Sequence, residues 1–421
     1  MNGAISVDRT NGEGSLPMIQ ALADRGVEFP SPRTVFIGAE VRPERIAPGV
    51  VIHSGCRIHG ASTSVGPGSE LGREQPLTIE NCQLGYDVSL NGGYVADSTF
   101  LDGVSIGSGA HVRAGSLLEE RASLAHSVGL KQTILFPFVT LGSLINFCDC
   151  LMSGGTSGSN HSEVGSSYVH FNFTPHGDKA TASLIGDVAR GVMLDQDPIF
   201  LGGQGGLVGP SRIEYGTVLP AGCICRRDIL VGGHLFAPEP YVNPAGKPYV
   251  MGMYRDIQRG VENNLIYLGN IRALQHWYRE VRIHMMSRDP YREACHEGAM
   301  LRLDTIFRER MHRLDQWVGK LPRSMELLHE REGQRGDSFY SLQESLVQAW
   351  PRLQEQLNQD DLSRCELANR DLLRDALVGR CSGVSSWIVV VQSLEVQAKQ
   401  AGITWLQAMV DRFLGLWHGN E

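Results

Sequence analysis

Three histidines lie close together in a polar stretch whose side chains could move a proton. His161, His170 and His176 fall within residues 160–187, which read NHSEVGSSYVHFNFTPHGDKATASLIGD. Imidazole is the side chain whose ordinary pKa lies nearest neutral pH, so each of the three could act as a general base. Lys179 adds a cation to the same segment. We therefore predict that this segment forms the catalytic and binding site.

Metal binding is a second chemistry that histidines and cysteines could supply. In each C-x-C pair, Cys148 with Cys150 and Cys223 with Cys225, we expect the strand to place both thiols on one face. A zinc site more often shows C-x-x-C with a second such pair. We predict no metal. A zinc site built from three histidines of the polar stretch is the alternative.

A period of six residues governs the part of the chain that must position this stretch. Each apolar anchor precedes a turn rich in Gly or Asp. An amphipathic helix and an alternating strand both lack this period, whereas a triangular parallel β-helix places one anchor on each of its three faces. Three hexapeptides form a coil of about 18 residues, which predicts roughly ten coils over residues 36–232. The clearest anchors are Ile46, Ile52, Ile58, Ile106, Val112, Leu118, Leu124, Leu207, Ile213 and Leu219.

The composition changes near residue 250 and predicts a second architecture there. Glycine falls from 37 residues in 1–250 to 12 in the rest of the chain. Residues 254–421 show apolar residues at steps of three and four, which is typical of helices. We predict a cap at 1–35, the β-helix at 36–232, a proline-rich linker at 233–253 and an all-α domain at 254–421. The apolar stripe of the first long helix would pack within a helical bundle or against a partner.

Charge and hydropathy exclude several classes of function. The 421 residues carry a formal charge of -8, which gives no general attraction for nucleic acid. The start of the chain lacks a basic segment followed by an apolar one, and no apolar run reaches the roughly 18 residues of a membrane span. We expect a cytoplasmic protein that does not bind nucleic acid and has no membrane span.

The hexapeptide tract resembles the left-handed β-helix superfamily of acyltransferases and nucleotide-sugar enzymes. More narrowly, SEVGSSYV followed by HFNFTPHGDKATASLIGD is similar to the C-terminal acetyltransferase domain of the bifunctional N-acetylglucosamine-1-phosphate uridyltransferase and related sugar nucleotidyltransferases. The resemblance implies that the β-helix is left-handed. The predicted fold is therefore a left-handed parallel β-helix followed by the all-α domain. It also implies a homotrimer with its sites in clefts between subunits.

The resemblance assigns ligand contacts to particular residues. Asn172 and Phe173 match an Asn-Tyr pair that contacts acetyl-CoA in the family, and Lys179 falls in the same loop as family lysines. Arg226 and Arg227 stand near a Thr-Arg pair at the end of the family's β-helix. The implied ligands are acetyl-CoA or another acyl-CoA and a nucleotide sugar or sugar phosphate.

Two departures from the family bear on catalysis. Gly155 occupies the place of the family's catalytic histidine, and Phe173 lacks the hydroxyl of the usual tyrosine. A general base needs a nitrogen within hydrogen-bond reach of the substrate amine, and glycine has none. His161, His170 or His176 would have to supply it from a shifted loop.

Three functions follow from these observations. The first is a sugar-nucleotide-type β-helix protein that binds a nucleotide sugar or acyl-CoA and transfers an acyl group to an amino sugar. The second is a non-catalytic trimeric scaffold whose helical domain binds a protein partner. The third is assignment as a protein similar to UDP-N-acetylglucosamine pyrophosphorylase. That assignment would rest on β-helix similarity alone, because no doubly wound nucleotidyltransferase domain is evident.

Overall fold

Short parallel strands come first along the chain and helices follow. The computed structural model describes residues 16–169, 175–237, 246, 249–286, 289–332, 336–359, 364–378, 380 and 386–418. The strands are β1 (Phe36–Ile37), β2 (Val51–Ile52), β3 (Arg57–His59), β4 (Ser64–Val65), β5 (Glu70–Leu71), β6 (Leu77–Glu80), β7 (Gln83–Leu84), β8 (Ser89–Leu90), β9 (Gly93–Ala96), β10 (Ser98–Phe100), β11 (Ser105–Ile106), β12 (Ala110–Arg113), β13 (Ser116–Leu118), β14 (Ser123–Leu124), β15 (Gly129–Leu135), β16 (Thr140–Leu141), β17 (Asn146–Met152), β18 (Gly155–Ser157), β19 (Asn160–His161), β20 (Glu163–Val164), β21 (Ser167–Val169), β22 (Ser183–Ile185), β23 (Phe200–Leu201), β24 (Gly205–Leu207), β25 (Arg212–Ile213), β26 (Val218–Leu219) and β27 (Ile224–Cys225).

The helices precede, interrupt and follow this tract. Two 3₁₀ turns, Pro32–Thr34 and Pro43–Arg45, and one π-helical turn, Tyr278–Arg282, complete the helical elements of the described residues. The α-helices are α1 (Leu16–Asp24), α2 (Val188–Gly191), α3 (Gln258–Trp277), α4 (Ile283–Met286), α5 (Pro290–Val318), α6 (Leu321–Glu332), α7 (Asp337–Leu357), α8 (Arg364–Val378), α9 (Trp387–Gln392) and α10 (Val396–His418).

The strands form a parallel β-helix of about ten coils with three faces. The first face comprises β1, β3, β6, β9, β12, β21, β24, β27 and the first halves of β15 and β17. The second comprises β4, β7, β10, β13, β22, β25 and the second halves of β15 and β17. The third comprises β2, β5, β8, β11, β14, β16, β20, β23 and β26. The chain passes from the first face to the second, to the third, and back to the first.

The period-six anchors fill the interior of the β-helix, as predicted. None of the ten anchors named above is more than 4% exposed. Each coil stacks its anchor on that of the next coil, for example Ile106 on Leu124 across β11 and β14. Burial of these branched side chains stabilises the tract because each fully buried one contributes about 1.5–3 kcal/mol.

The helices form a layer on the second face. Helix α3 packs against α10, α5, α2 and β22, so its apolar stripe is buried within the chain. Helix α5 packs along β4, β7, β10 and β13. The prediction of a β-helix followed by helices is confirmed, and the two parts share a large polar and apolar interface.

Helix α5 runs along the axis of the β-helix, and its rise per turn is close to the spacing between successive coils. Gly298 lies against Gln83 and Thr99, and Arg310, twelve residues later, reaches Asp149 at 3.1 Å. Twelve helical residues rise about 18 Å, and the four coil spacings between Gln83 and the coil of Asp149 add to about 19 Å. One helix can therefore contact five successive coils in register.

A buried acid-base cluster ties the second face to the turn after α3. The Tyr278 hydroxyl donates to Glu119 Oε1 at 2.6 Å, and the Arg282 guanidinium binds Glu120. Glu119 is 1% exposed. Burial raises the pKa of Glu119 to about 7, against the opposing charge of Arg282. Glu119 is therefore largely protonated in the folded protein below neutral pH.

Replacing the Glu119 carboxyl should change how the stability of the protein depends on pH. Folded Glu119 keeps its proton up to about pH 7, whereas the unfolded chain loses it near 4.5. The native free energy of unfolding should therefore fall as pH rises through this interval. The Glu119→Gln variant should not show this decline. Between pH 4.5 and 8, its free energy of unfolding should therefore rise relative to that of the native protein by on the order of 3 kcal/mol.

Urea unfolding of both proteins across pH 4.5–8 measures this shift. Glu74→Gln is the matched control, because Glu74 is exposed and should leave the native pH profile unchanged. Parallel profiles for native protein and Glu119→Gln would show that Glu119 is already ionised in the folded state.

Candidate functional site

The polar stretch begins with a small antiparallel hairpin that leaves the β-helix between its second and third faces. Strands β18 and β19 pair with Gly155 opposite His161 and Ser157 opposite Asn160. The Asn160 side-chain amide donates to Thr156 Oγ1 at 3.0 Å. Small and polar residues suit this excursion because it has no interior to fill.

Among the described residues, one ring nitrogen of His161 has no hydrogen-bond partner. Its Nδ1 lies 2.9 Å from the carbonyl oxygen of Gly158. A carbonyl can only accept, so Nδ1 holds the proton and Nε2 keeps its lone pair. The ring is partly exposed. This is the tautomer and access that a general base requires.

Gly155, to which the resemblance assigns the place of the family's catalytic histidine, lies directly across the hairpin from His161. Its φ is +95°. A Cβ here would come within 2.5 Å of His161 Cα and 2.6 Å of the Asn160 oxygen. The hairpin therefore excludes any side chain at 155 and places an imidazole on the facing residue.

The helical layer and the coil behind it hold this hairpin. The Gln392 amide of α9 donates to the Thr156 oxygen at 2.7 Å and to the Leu194 oxygen at 3.2 Å. The Gly155 N–H donates to the Gln196 oxygen at 3.0 Å. Gln392 was not predicted as a site residue; its only signal in the sequence is an amide at the end of the apolar run WIVVVQ.

His176 lies on the other side of the second face, in the loop that precedes β22. Its Nδ1 accepts the Gly252 N–H at 2.9 Å, and its ring packs between Tyr249 and Tyr254 at centroid distances of 5.4 and 5.0 Å. The lone pair of the neutral ring is engaged by the backbone of the segment that leads into α3. The base role predicted for His176 stays a prediction, and it would require this hydrogen bond to open.

Asp178 fastens the same loop to the helical layer. It accepts the Tyr254 hydroxyl at 2.8 Å and the Lys320 ammonium at 2.7 Å. Burial, followed by the hydrogen bond to Asp178, raises the pKa of Tyr254 well above its usual range. The phenol is therefore a fixed donor at every physiological pH.

The remaining predicted ligand contacts are dispersed. Lys179 is exposed, with its carbonyl oxygen bound by Arg310. Arg226 and Arg227 follow β27 in the last coil; Arg227 is exposed and Arg226 partly buried. His170, Asn172 and Phe173 lie outside the described residues, so their roles stay predictions.

The described histidines of this tract do not converge within one chain. His126, whose Nδ1 lies 2.9 Å from Ser143 Oγ, stands between the third and first faces. His161 and His176 flank the second face on opposite sides. Across the described residues there is no group of three or more metal-binding side chains.

The C-x-C prediction was wrong for Cys148 and Cys150. Asp149 between them adopts a φ of +56° at the junction of the first and second faces. The turn separates the two thiols, so Cys148 is partly exposed on the first face and Cys150 is buried. The alternation rule fails because β17 bends within its own length.

Comparison with known proteins supports the resemblance drawn from the hexapeptides. The chain is 27% identical over 212 residues to bifunctional protein GlmU of Thermotoga petrophila, covering 50% of this chain and 42% of that protein. GlmU of Pelobacter propionicus is 27% identical over 222 residues, covering 52% and 43%. The chain thus spans less than half the length of these curated relatives. No family model matches the sequence.

These matches confirm the predicted resemblance to the bifunctional GlmU proteins. Among the helices whose residues are described, none is long and apolar enough to cross a bilayer.

The fit at Gly155 predicts the effect of adding a methyl group there. Gly155→Ala should force the hairpin open and lower the free energy of unfolding by about 2 kcal/mol, because both the positive φ and the close backbone oppose a Cβ. Gly158→Ala on the same hairpin is the control: a Cβ there meets nothing within 4 Å, and it should change stability by less than about 0.5 kcal/mol. Urea unfolding and amide hydrogen exchange of residues 155–161 measure both. Equal behaviour of the two variants would contradict the packing described for Gly155.

Proposed function

We propose that this protein transfers an acyl group from acetyl-CoA or another acyl-CoA to the amine of an amino sugar. The acceptor would be a nucleotide sugar or sugar phosphate of the glucosamine type. One observation carries the proposal. Among the described residues His161 Nε2 has no hydrogen-bond partner, and His161 pairs across the hairpin with Gly155, the position that the resemblance assigns to the family's catalytic histidine.

In the proposed reaction, His161 Nε2 accepts a proton as the sugar nitrogen attacks the thioester carbon. Backbone N–H groups at a coil turn stabilise the oxyanion that forms. Collapse of this intermediate breaks the carbon–sulfur bond, and the departing CoA thiolate takes the proton from His161. The amide product and free CoA result, with His161 neutral again.

The anionic parts of both substrates need cations. Arg226 and Arg227 would pair with phosphates, since a guanidinium binds phosphate through two hydrogen bonds. Lys179, with its exposed side chain, would serve the same loop, and Asn172 and Phe173 would contact the acyl-CoA.

A cleft between subunits accounts for the spread of these residues. His161 stands between the second and third faces, whereas Arg227 follows a strand of the first face. Residues on different edges of one β-helix can meet when a neighbouring copy brings its own edge alongside. We therefore propose a homotrimer, which light scattering would show as three times the chain mass of 46.2 kDa. A cytoplasmic location stays a prediction.

Two alternatives remain distinct from acyl transfer. A non-catalytic trimeric scaffold is favoured by Gly155, but the apolar stripe of α3 packs within the chain, which removes one surface proposed for a protein partner. A pyrophosphorylase activity has less support, because the described residues contain no doubly wound sheet.

Substitution of the proposed base provides the direct test. His161→Asn should lower kcat for acetyl transfer from acetyl-CoA to glucosamine 1-phosphate or UDP-glucosamine by roughly 100-fold or more, because general-base catalysis contributes about 10²–10⁴. KM should change little. Release of the CoA thiol measures the rate.

His126→Asn is the matched control, since His126 is hydrogen-bonded on a different edge of the same β-helix. It should retain the native rate. Full activity in His161→Asn would exclude His161 as the base, and no turnover by the native protein with any amino sugar would favour the scaffold.

A further inference from the structure

A cavity of about 280 Å³ lies between the β-helix and the helical layer. Its β-helix wall is formed by the turns that follow β7, β10 and β13, which join the second face to the third. Its helical wall is formed by residues of α4, α5 and α9. The His161 hairpin leaves the same edge of the β-helix in a later coil, and none of the residues proposed for acyl transfer lines the cavity.

Most charges on the cavity wall are already paired. Arg292 donates to Asp102 from Nη2 at 3.0 Å and from Nε at 3.2 Å. Arg282 binds Glu120 through both terminal nitrogens. These two pairs cancel, and neither leaves a net charge for a ligand.

Arg121 is the exception. Its guanidinium has no hydrogen bond or ion pair within the described part of the chain, and its side chain passes over Gly103, where a Cβ would meet Arg121 Cγ at 3.2 Å. Asp87, which also lies on the wall without a partner among the described residues, leans over Gly68 in the preceding coil. The cavity therefore has at its rim an exposed cation, Arg121, that no side chain of the described residues binds.

Two buried N–H groups on the wall also lack acceptors. The Trp387 indole Nε1 and the Arg282 Nε have no hydrogen-bond partner among the described residues. Trp387 is 7% exposed and the Arg282 side chain is fully buried. A buried donor without an acceptor costs about 1–3 kcal/mol, which a ligand oxygen could recover.

The rest of the wall limits the size and polarity of the ligand. Leu101, Met285, Met286 and Ile388 supply apolar surface. The volume of about 280 Å³ is just below the roughly 300–1,000 Å³ typical of ligand pockets. It suits a small metabolite and excludes a whole coenzyme or nucleotide sugar.

The aromatic rings of the wall do not favour a neutral sugar. The Arg282 guanidinium lies 4.1 Å from the Trp387 ring centroid, and the Arg292 guanidinium lies 4.6 Å from that of Tyr86. Each ring therefore has a face occupied by a cation rather than open for stacking on a pyranose.

We propose that this cavity binds a small organic carboxylate with a short apolar chain. The carboxylate accepts from the planar fork of Arg121, a geometry that guanidinium groups match well. The chain lies against the two methionines and Ile388. Buried donors without acceptors, an unpaired guanidinium at the rim and an apolar wall are the three features that such a ligand satisfies together.

Calorimetric titration of the full-length protein tests the proposal. The probes are butyrate, hexanoate and 4-methylpentanoate, with 4-methylpentanamide as the neutral analogue of the same shape. At least one acid should bind, and 4-methylpentanoate should bind at least about tenfold more tightly than its amide, because one charge-assisted hydrogen bond contributes about that factor.

A pair of arginine variants separates this site from general charge effects. Arg121→Gln should weaken binding of the acid about tenfold or more. Arg57→Gln, which alters an exposed arginine on the first face, should leave it unchanged. The proposal is overturned if no acid binds at millimolar concentration, if acid and amide bind equally, or if Arg121→Gln binds as well as the native protein.

Discussion

Buried arginines from the helices fix the helical layer on the second face of the β-helix, and the positions of both polar loops depend on that contact. Arg302 bridges the Asn81 oxygen and Gln83 Oε1, at 3.0 and 3.3 Å. Arg310 reaches Gln132 and Asp149, at 2.7 and 3.1 Å. Removing one partner of a buried pair typically costs about 3–5 kcal/mol. The layer therefore has one favoured register along the coils.

The same register places supports at both edges of the second face. On one edge, Lys320 and Tyr254 hold the loop of Asp178 and His176. On the other, Gln392 holds the hairpin of His161. The helical layer thus acts on both polar loops, although it contributes none of the residues proposed for catalysis. Its role in the proposed reaction is to position the hairpin.

The pairing of Gly155 with His161 places an imidazole opposite a position that cannot carry a side chain. A hairpin that requires a left-handed backbone at 155 cannot carry an imidazole there. The facing strand carries one, at His161. Counting along the sequence finds only the glycine, because His161 lies six residues further on and the two positions become neighbours only in the folded hairpin.

The helical segments illustrate where tertiary packing overrides local signals. Glycine is a poor helix former, yet α10 continues through Ala401 and Gly402. Gly402 faces Met193, whose Cε would lie 2.5 Å from a Cβ there, and Leu373 packs beside it. Glycine at this position permits close approach of the β-helix and α8. Glycine within a helix costs about 1 kcal/mol relative to alanine. The close packing at Gly402 offsets this cost.

The sequence by itself determined the β-helix, the helical region after it and the place of the polar stretch. Period-six anchors and helical stripes are local patterns, and each reports directly which side of the backbone is buried. Only the tertiary structure decided that the helices cover the second face. It also decided that His161 lies opposite Gly155, that His176 is bound to Gly252, and that a cavity beside Arg121 forms between the β-helix and the helical layer. These features depend on contacts between residues distant in sequence, such as Gln392 with Thr156. Such contacts are fixed by shape and charge at the interface, and no local spacing encodes them.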